Sequence, residues 1–356
     1  MENKVMTIGI VGAGMISKTY IGNIQERFPE IKIKSICANH FEHAQSRAEE
    51  YGLTATTFEE MLKDPEIELI LNITTLESHY EISKAALLAG KHVYSEKTIA
   101  RTADEARELL ELADSKELYL GCAPDTFLGA AFECGKEFID SGKLGTVTSF
   151  SMAGNRDNNF FMSWFPFLRK PGAGTLNDYC VYYITALVSL LGKAKSVAAF
   201  VRNPYPEHHV IKPDAPDFGK TVSTPNESEV IGIINLESGV SGTFHMNQDS
   251  LLFDESYFAI YGTKGILYLP CPNDFDGPVY FLENNWDSIF KGENKKQLIE
   301  HTGKYTVESR GAGLADMVHA IWEDREPRAS KEQAENVLNI LNGFVKSSEE
   351  HIIVDL

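Results

Sequence analysis

The stretch that organises the chain runs from Thr7 to Ser17 and reads TIGIVGAGMIS. It lies in a short apolar run, Val5 to Val11, whose length and β-branched content suit a buried parallel strand. The run stops at Gly12-Ala13-Gly14, and the residues from Ile16 to Phe28 are compatible with a helix. A strand, a glycine turn and a helix in this order form the context that a dinucleotide-binding fingerprint requires.

Each small residue of the turn has an expected task. Gly12 permits the tight turn, and Gly14 lets the backbone approach a pyrophosphate because it has no Cβ. The N-terminus of the following helix offers N–H groups and a partial positive charge to the phosphates. Met15 and Ile16 begin that helix and are predicted cofactor contacts. The third small position of the fingerprint is Ser17, where glycine or alanine is usual.

Length and charge limit the classes of protein to consider. The chain has 356 residues, 43% of them hydrophobic and 24% charged, and this length predicts two domains. Its 51 acidic residues outnumber 33 basic ones, which gives a net charge of −18. Such a surface repels nucleic acids and anionic membranes, so we expect neither as a partner.

Cysteine usage and hydropathy indicate a cytoplasmic protein. The five cysteines are scattered without CxxC spacing, so we expect reduced thiols and no metal site. No secretory signal is expected at the N-terminus, where Met1 to Lys4 lead into an apolar run broken by glycines. No segment approaches the length of a membrane span.

The first part of the chain, residues 1–123, alternates short strands with helices and predicts a doubly wound parallel sheet, the α/β Rossmann architecture. Its second strand ends at Ala38-Asn39-His40, without the carboxylate that takes the ribose hydroxyls in NAD-binding domains. NADP is therefore allowed and is favoured over NAD. Asn39 and His40 are the candidate contacts.

Further polar residues follow strands of this predicted sheet. Thr74 and Thr75 end one strand, and Glu96 follows another, on the carboxyl side where ligands of open α/β folds bind. We count them as cofactor contacts. His79 opens the next helix, where capping or surface exposure is expected rather than catalysis. Asp125 follows Pro124, and a turn is expected there rather than a cleft residue.

The second part, residues 124–356, has a different pattern. Strand-like runs are joined by short turns such as 237–239 and 262–265, which predicts an open, mainly antiparallel sheet in an α+β domain. Leu176 to Leu191 reads as one helix within it. Asn203 to Asn226, rich in proline and polar residues, reads as a long surface excursion.

Three motifs together resemble one family. They are the turn at Gly12–Gly14, Glu96-Lys97-Thr98 after a strand, and the segment from Gly172 to Tyr182. They resemble the glucose–fructose oxidoreductase, inositol dehydrogenase and MocA (Gfo/Idh/MocA) family, and the likeness covers nearly the whole chain. The resemblance implies hydride transfer between NAD(P) and a sugar, cyclitol or related diol or carbonyl. It also implies that the open sheet packs against another subunit in a homodimer or homotetramer.

The resemblance also assigns site residues. The family's Glu-Lys-Pro motif falls on 96–98 and makes Lys97 the catalytic lysine, with Thr98 in place of proline. In the second motif Asp178 keeps the aspartate and Cys180 replaces a glycine. Tyr182 stands where many members have histidine, which is the pattern of the glucose–fructose oxidoreductase and dihydrodiol dehydrogenase branch.

The chemistry of these residues suits the implied reaction. Alcohol oxidation needs a base for the hydroxyl proton while hydride leaves for the nicotinamide. Tyr182 is the predicted acid/base, Lys97 its electrostatic partner that also stabilises the alkoxide, and Asp178 the residue that positions substrate or lysine. Two alternatives stay open: a redox-cycling enzyme that retains its cofactor, and a catalytically silent NAD(P)-binding sensor.

Overall fold

A computed structural model describes residues 4–356, apart from the side chains of residues 251–254. The first three residues, where no secretory signal is expected, lie outside the described part. Contacts group the chain into two compact units. The first contains the chain up to Asp125 together with Ser309–Leu338, and the second contains Thr126–Glu308 together with Asn339–Leu356. The domain limits expected from the sequence, 1–123 and 124–356, stay a prediction.

The first unit is built on six parallel strands in the order β3-β2-β1-β4-β5-β6. The strands are β1 Met6–Val11, β2 Ile31–Cys37, β3 Thr54–Ala55, β4 Leu69–Asn72, β5 His92–Ser95 and β6 Leu120–Cys122. The helices between them are α1 Met15–Arg27, α2 Phe41–Tyr51, α3 Phe58–Lys63, α4 Leu76–Leu88 and α5 Ala103–Ser115. This order is that of a doubly wound sheet, and the doubly wound parallel sheet predicted from the sequence is confirmed.

The central strands do not alternate apolar and polar residues, because both of their faces are buried. All four residues of β4 are buried, as are five of the six in β1, because helices cover both faces of a doubly wound sheet. The helices begin at capping residues where the sequence provides them. Thr102 accepts from the Glu105 N–H in a complete capping box at the start of α5.

The second unit carries most of the remaining elements. Its strands are β7 Val147–Asp157, β8 Ala194–Arg202, β9 Glu207–His209, β10 Thr221–Ser223, β11 Glu229–Leu236, β12 Ser241–Asn247, β13 Asp249–Gly262, β14 Gly265–Leu269, β15 Tyr280–Glu283, β16 Gln297–Leu298 and β17 Val354–Asp355. Its helices are α6 Ala130–Asp140, α7 Asn158–Trp164, α8 Val181–Leu191 and α9 Trp286–Lys291. Two further helices, α10 Ala312–Glu323 and α11 Lys331–Glu350, follow near the C-terminus.

Nine of these strands form one sheet in the order β16-β15-β14-β13-β7-β12-β11-β8-β17. Its pairs are antiparallel except that of β7 with β12. One face is core: Phe150, Met152, Phe244, Met246 and Phe258 are at most 2% exposed. The prediction of a mainly antiparallel sheet in an α+β unit is confirmed.

Two segments differ in detail from the sequence reading. The stretch expected as one helix begins as a π-helical turn, Leu176–Cys180, and continues as α8. The surface excursion contains the β9–β10 hairpin, and His208 and Val210 within it are buried. None of the helices in the described part is both long and apolar enough to cross a membrane.

Candidate active site

The turn between β1 and α1 has the geometry expected of the fingerprint. Gly12 has φ +118°, and a Cβ there would lie 2.6 Å from the Ile73 carbonyl oxygen, so only glycine fits. A Cβ at Gly14 would meet no protein atom within 4 Å. Gly14 also precedes the first turn of α1, which no side chain caps. The space beside Gly14 and the helix N-terminus together can receive an anionic group.

The two sides of α1's first turn differ in exposure. Met15 is 66% exposed and Ile16 is half-buried, so the predicted contacts face outward at the turn. Ser17 is fully buried, and its hydroxyl donates to the Gly14 carbonyl over 2.6 Å. This burial explains why the third position of the fingerprint must be small.

The loop after β4 is fixed by a buried amide. Asn72 donates to the His79 carbonyl and to the Ser83 hydroxyl at 3.0 and 3.1 Å, and its oxygen accepts from the Thr74 hydroxyl at 2.7 Å. Thr75 is the N-cap of α4 and makes no side-chain capping bond. Because β1, β4 and β5 are parallel neighbours, this loop lies at the same sheet edge as the glycine turn and Lys97.

The end of β2 leaves Asn39 and His40 exposed. The His40 ring lies 5.4 Å from that of His43, edge to face. Arg47 of α2 was not predicted from the sequence. Its guanidinium lies 3.4 Å from the carbonyls of Ala13 and Gly14 and pairs with Glu50 at 2.6 Å. The one feature of the sequence that could have indicated this contact is the place of Arg47 between Ala44 and Ala48, the buried residues of α2.

The segment after β5 is anchored through Glu96. This carboxylate is 9% exposed, accepts from the Tyr20 hydroxyl at 2.8 Å and accepts from the Lys97 N–H at 3.0 Å. Burial and the neighbouring carboxylate raise the pKa of Tyr20 well above its usual value, so the phenol stays a donor. The predicted cofactor contact Glu96 is therefore also what fixes the backbone at Lys97, whose side chain is half-buried.

Thr98 is held on both sides. Its hydroxyl donates to the Ala100 carbonyl at 2.7 Å, its carbonyl oxygen lies 2.7 Å from His79 Nδ1, and the Lys97–Thr98 peptide bond is cis. The expectation that His79 is a capping or exposed residue is wrong, because the side chain is 1% exposed and contacts two loops.

Asp125 belongs to the framework of the first unit. One carboxylate oxygen accepts from the N–H groups of Gly311 and Gly313, each at 2.9 Å, at the start of α10. Burial raises its pKa to about 6 although these N–H groups and Arg310 act in the opposite direction. Asp125 thus caps a helix whose N-cap residue, Gly311, lies 186 residues later in the chain.

The second unit holds Asp178 and Tyr182. Both side chains are half-buried, and the two residues are four apart, Asp178 in the π-helical turn and Tyr182 in the first turn of α8. The next residue, Tyr183, is fully buried and donates to Ser256. Cys180 is fully buried and lies 3.9 Å from the Thr175 hydroxyl. The cysteine that replaces the family's glycine is therefore a core residue.

Glu227 supports the π-helical turn and was not predicted. Its carboxylate accepts from the Leu176 N–H at 3.0 Å and occupies the place where a Cβ on Gly174 would lie. Burial raises the pKa of Glu227. Arg156, 6% exposed, lies with its guanidinium carbon 3.4 Å from the Tyr179 ring centroid and 4.3 Å from that of Phe161. Its position was not predicted either, since it depends on where β7 ends.

The described residues include no group of three His, Cys, Asp or Glu side chains that could hold a metal ion. What they do present in the first unit is an edge of polar groups around an open glycine turn. The second unit presents a carboxylate and a phenol on one helical face. The polar groups around the glycine turn suit a dinucleotide, and the carboxylate with the phenol suits a proton-transfer reaction.

Comparison with known proteins gives the family. Residues 6–123 match the family described as "Oxidoreductase family, NAD-binding Rossmann fold", and residues 133–268 match the "GFO/IDH/MocA C-terminal domain". The chain belongs to the Gfo/Idh/MocA family of oxidoreductases. The resemblance inferred from the three motifs is confirmed.

Named relatives within this family act on sugars and cyclitols. The chain is 28% identical over 270 residues to a 1,5-anhydro-D-fructose reductase of Ensifer adhaerens, 73% of this chain and 74% of that protein. It is 29% identical over 202 residues to a scyllo-inositol 2-dehydrogenase (NADP(+)) of Bacillus subtilis, 56% of each chain. The match to an uncharacterized oxidoreductase of Schizosaccharomyces pombe, 35% identical over 144 residues, spans 39% of that relative and 40% of this chain.

Solved structures confirm the fold of the Gfo/Idh/MocA chain. Levoglucosan dehydrogenase in complex with NADH and levoglucosan superposes with a TM-score of 0.82 at 21% identity and covers 99% of both chains. An oxidoreductase from Agrobacterium radiobacter in complex with NAD+, L-tartaric acid and magnesium gives a TM-score of 0.82 at 13% identity, over 98% of each chain.

Proposed function

We propose that this protein is an NAD(P)-dependent dehydrogenase or reductase that transfers hydride between the nicotinamide and a sugar, cyclitol or related diol or carbonyl. The observation that carries the proposal is the position of Lys97 two residues after β5, at the same sheet edge as the open turn at Gly14. Family membership and the named sugar and inositol relatives support it.

The first unit fits a bound dinucleotide. The tight turn at Gly12, the free space beside Gly14 and the uncapped start of α1 suit a pyrophosphate. Met15 and Ile16 would lie along it, and Thr74, Thr75, Glu96 and Lys97 would face the nicotinamide half from the ends of β4 and β5. When bound, the nicotinamide supplies the hydride acceptor or donor.

The catalytic roles follow from the chemistry of three side chains. Tyr182 exchanges the proton of the substrate hydroxyl, and the ammonium of Lys97 stabilises the developing alkoxide. Asp178, one helical turn before Tyr182, orients a substrate hydroxyl or the lysine. The proposal requires both Lys97 and Tyr182 for turnover.

NADP is the preferred coenzyme in this proposal. No carboxylate stands at the end of β2 to repel a 2′-phosphate, and Asn39, His40 and the neighbouring His43 are exposed there. Fluorescence titration is expected to give a lower Kd for NADPH than for NADH, and a lower Kd for NADH would contradict the preference.

A second copy of the chain is the proposed partner. The face of the large sheet opposite its core carries Phe200 and Ile231, which are register neighbours and 59% and 39% exposed. Ile233 and Tyr257, 54% and 39% exposed, continue this face. Burial of such apolar side chains between subunits would stabilise a homodimer or homotetramer. A cytoplasmic location accords with reduced thiols at all five cysteines.

The test follows the near-ultraviolet absorbance of NADPH, either consumed or formed from NADP, with a panel of aldoses, inositols and anhydrosugars. Turnover with at least one polyol or sugar, lost in Lys97→Met, is the expected result. Turnover that survives in Lys97→Met would overturn the assignment. Tight NADPH binding without turnover on any member of the panel would favour the silent sensor. Cofactor released only when the purified protein is denatured would favour the redox-cycling alternative.

A further inference from the structure

His79 connects the loop that follows β4 with the loop that follows β5. The side chain is 1% exposed and lies in the first turns of α4. Its Nδ1 is 2.7 Å from the Thr98 carbonyl oxygen, and its Nε2 is 3.2 Å from the Thr74 carbonyl oxygen. One buried ring therefore touches the residue that follows Lys97 and a residue of the loop beside the glycine turn.

The two contacts are not equivalent. A neutral imidazole carries a single N–H, and we assign it to Nδ1 because the contact with Thr98 is the shorter. Burial lowers the pKa of His79, which keeps the ring neutral near pH 7. Nδ1 therefore donates a hydrogen bond to the Thr98 carbonyl. Nε2, which carries no hydrogen in this tautomer, only packs against the Thr74 carbonyl.

The Lys97 loop needs this bond because of its residue 98. Proline, usual at this place in the family, fixes its own φ angle, and threonine does not. Thr98 is instead held at its hydroxyl by Ala100 and at its carbonyl by His79. The main chain before Lys97 is fixed separately through Glu96.

We propose that His79 is a positioning residue, which holds the Lys97 ammonium in its reactive place by donating a hydrogen bond to the Thr98 carbonyl. This inference rests on the proposed function for its kinetic consequence. The geometric consequence, a fixed environment for the Lys97 side chain, is independent of it.

Two amide variants distinguish the contact made by Nδ1 from the contact made by Nε2. In His79→Asn the amide nitrogen can take the place of Nδ1 and keep the bond to Thr98, and in His79→Gln it takes the place of Nε2 near Thr74. Both replace the ring by a smaller amide at the same buried position of the same helix, so each controls for the other. His79→Ala removes both contacts.

The kinetic arm measures kcat, KM and the NADPH Kd. We expect His79→Asn to keep kcat within about 3-fold of the wild type, and His79→Gln and His79→Ala to lose about 30- to 100-fold, the scale of a misplaced catalytic group. KM and Kd are expected to change much less than kcat. A Gln variant as active as the wild type, or an Asn variant as impaired as Ala, would overturn the proposal.

The second arm needs no turnover. A pulse of acetic anhydride on the cofactor-free protein, followed by mass spectrometry, gives the labelling rate of Lys97. The rate is expected to match the wild type in His79→Asn and to differ in His79→Gln and His79→Ala. Equal rates in all four proteins would overturn the proposal. An inactive wild type with the expected labelling pattern would contradict only the proposed function.

Discussion

Gly12 and Gly14 stand two residues apart and have opposite surroundings. A side chain at Gly12 collides with the backbone at Ile73 and is strained by the positive φ, whereas a side chain at Gly14 points into open space. The first glycine is required by the fold. The second, in the proposed account, is required by the cofactor.

This difference gives a prediction for two matched variants. Gly12→Ala should destabilise the protein by more than about 1 kcal/mol, since a Cβ and a positive φ are incompatible. Gly14→Ala should leave the free energy of unfolding unchanged within about 0.5 kcal/mol and still weaken NADPH binding by about tenfold or more. Urea unfolding and NADPH fluorescence measure the two effects. Unchanged NADPH affinity in Gly14→Ala would show that no pyrophosphate lies there.

A control for the glycine series is available in the same helix. A Cβ at Gly22, inside α1, would meet no atom outside its own helix within 4 Å. Gly22→Ala should stabilise the protein by about 0.5–1 kcal/mol through helix propensity and leave the NADPH Kd unchanged. A change of Kd in this variant would mean that effects on α1 alone account for the result at Gly14.

Asp125 gives a prediction for pH. Its pKa is raised to about 6 from an ordinary 3.8, so the folded state binds the proton more tightly than the unfolded state. Its contribution therefore favours folding below about pH 4, and stability is lost as the pH rises from about 4 to 6. The size is on the order of 3 kcal/mol at most.

Asp125→Asn should remove this pH dependence and keep the cap on α10, since an amide oxygen can also accept from the N–H groups of Gly311 and Gly313. Asp125→Ala should also lose the pH dependence and be about 1–2 kcal/mol less stable than Asp125→Asn at every pH, because the cap is gone. Urea unfolding of the wild type and the two variants between pH 4 and 7 measures these differences in the free energy of unfolding. A wild type and an Asn variant with parallel pH profiles would contradict the account.

At the scale of elements, the start of α5 depends on the box formed by Thr102 and Glu105. Thr102→Ala removes an acceptor for a helix N–H and should cost about 1 kcal/mol of unfolding free energy. The exposed pair of Arg107 with Asp104 in the same helix should contribute little, so Arg107→Ala is the control. Chemical denaturation measures both, and an equal loss in the two variants would refute the role of the box.

Elements were predictable wherever the signal is local. The bounds of α2 and α3 follow from the sequence because Gly52 and Asp64-Pro65 end them and their apolar residues recur at helical spacing. The π-helical turn at Leu176–Cys180 was not predictable. It depends on Glu227, a half-buried carboxylate 51 residues away that accepts from the Leu176 N–H.

The site residues were likewise predictable only where the signal is local. The glycine turn and the polar residues after β4 and β5 could be placed from the sequence because strand ends of a parallel sheet share one edge. The contacts of Arg47 with Gly14 and of His79 with Thr98 could not, because they depend on how two helices pack on that sheet. The cap that Asp125 makes on α10 is a further long-range contact of this kind.

At the scale of the whole molecule, the open sheet face predicts assembly. Ile233, 54% exposed in the middle of β11, lies on this face with Phe200 and Ile231. Ile233→Lys should place a charge in the proposed interface and convert the assembly to single chains. Light scattering coupled to size exclusion measures the mass. Glu237→Lys, at the exposed turn after β11, is the control and should leave the mass unchanged.

A dimer or tetramer that persists in Ile233→Lys would show that this face is not the interface. A wild type with the mass of one chain would contradict the proposed partner altogether.

The proposed function requires Lys97 and Tyr182 to serve the same chemical step. The most direct measurement is a double-mutant cycle in kcat with Lys97→Met, Tyr182→Phe and the double variant, with the NADPH Kd measured for each. We expect kcat losses of about 100-fold or more for each single variant, no further loss in the double variant, and a nearly constant NADPH Kd. Losses that multiply in the double variant, or a single variant with wild-type kcat, would contradict it.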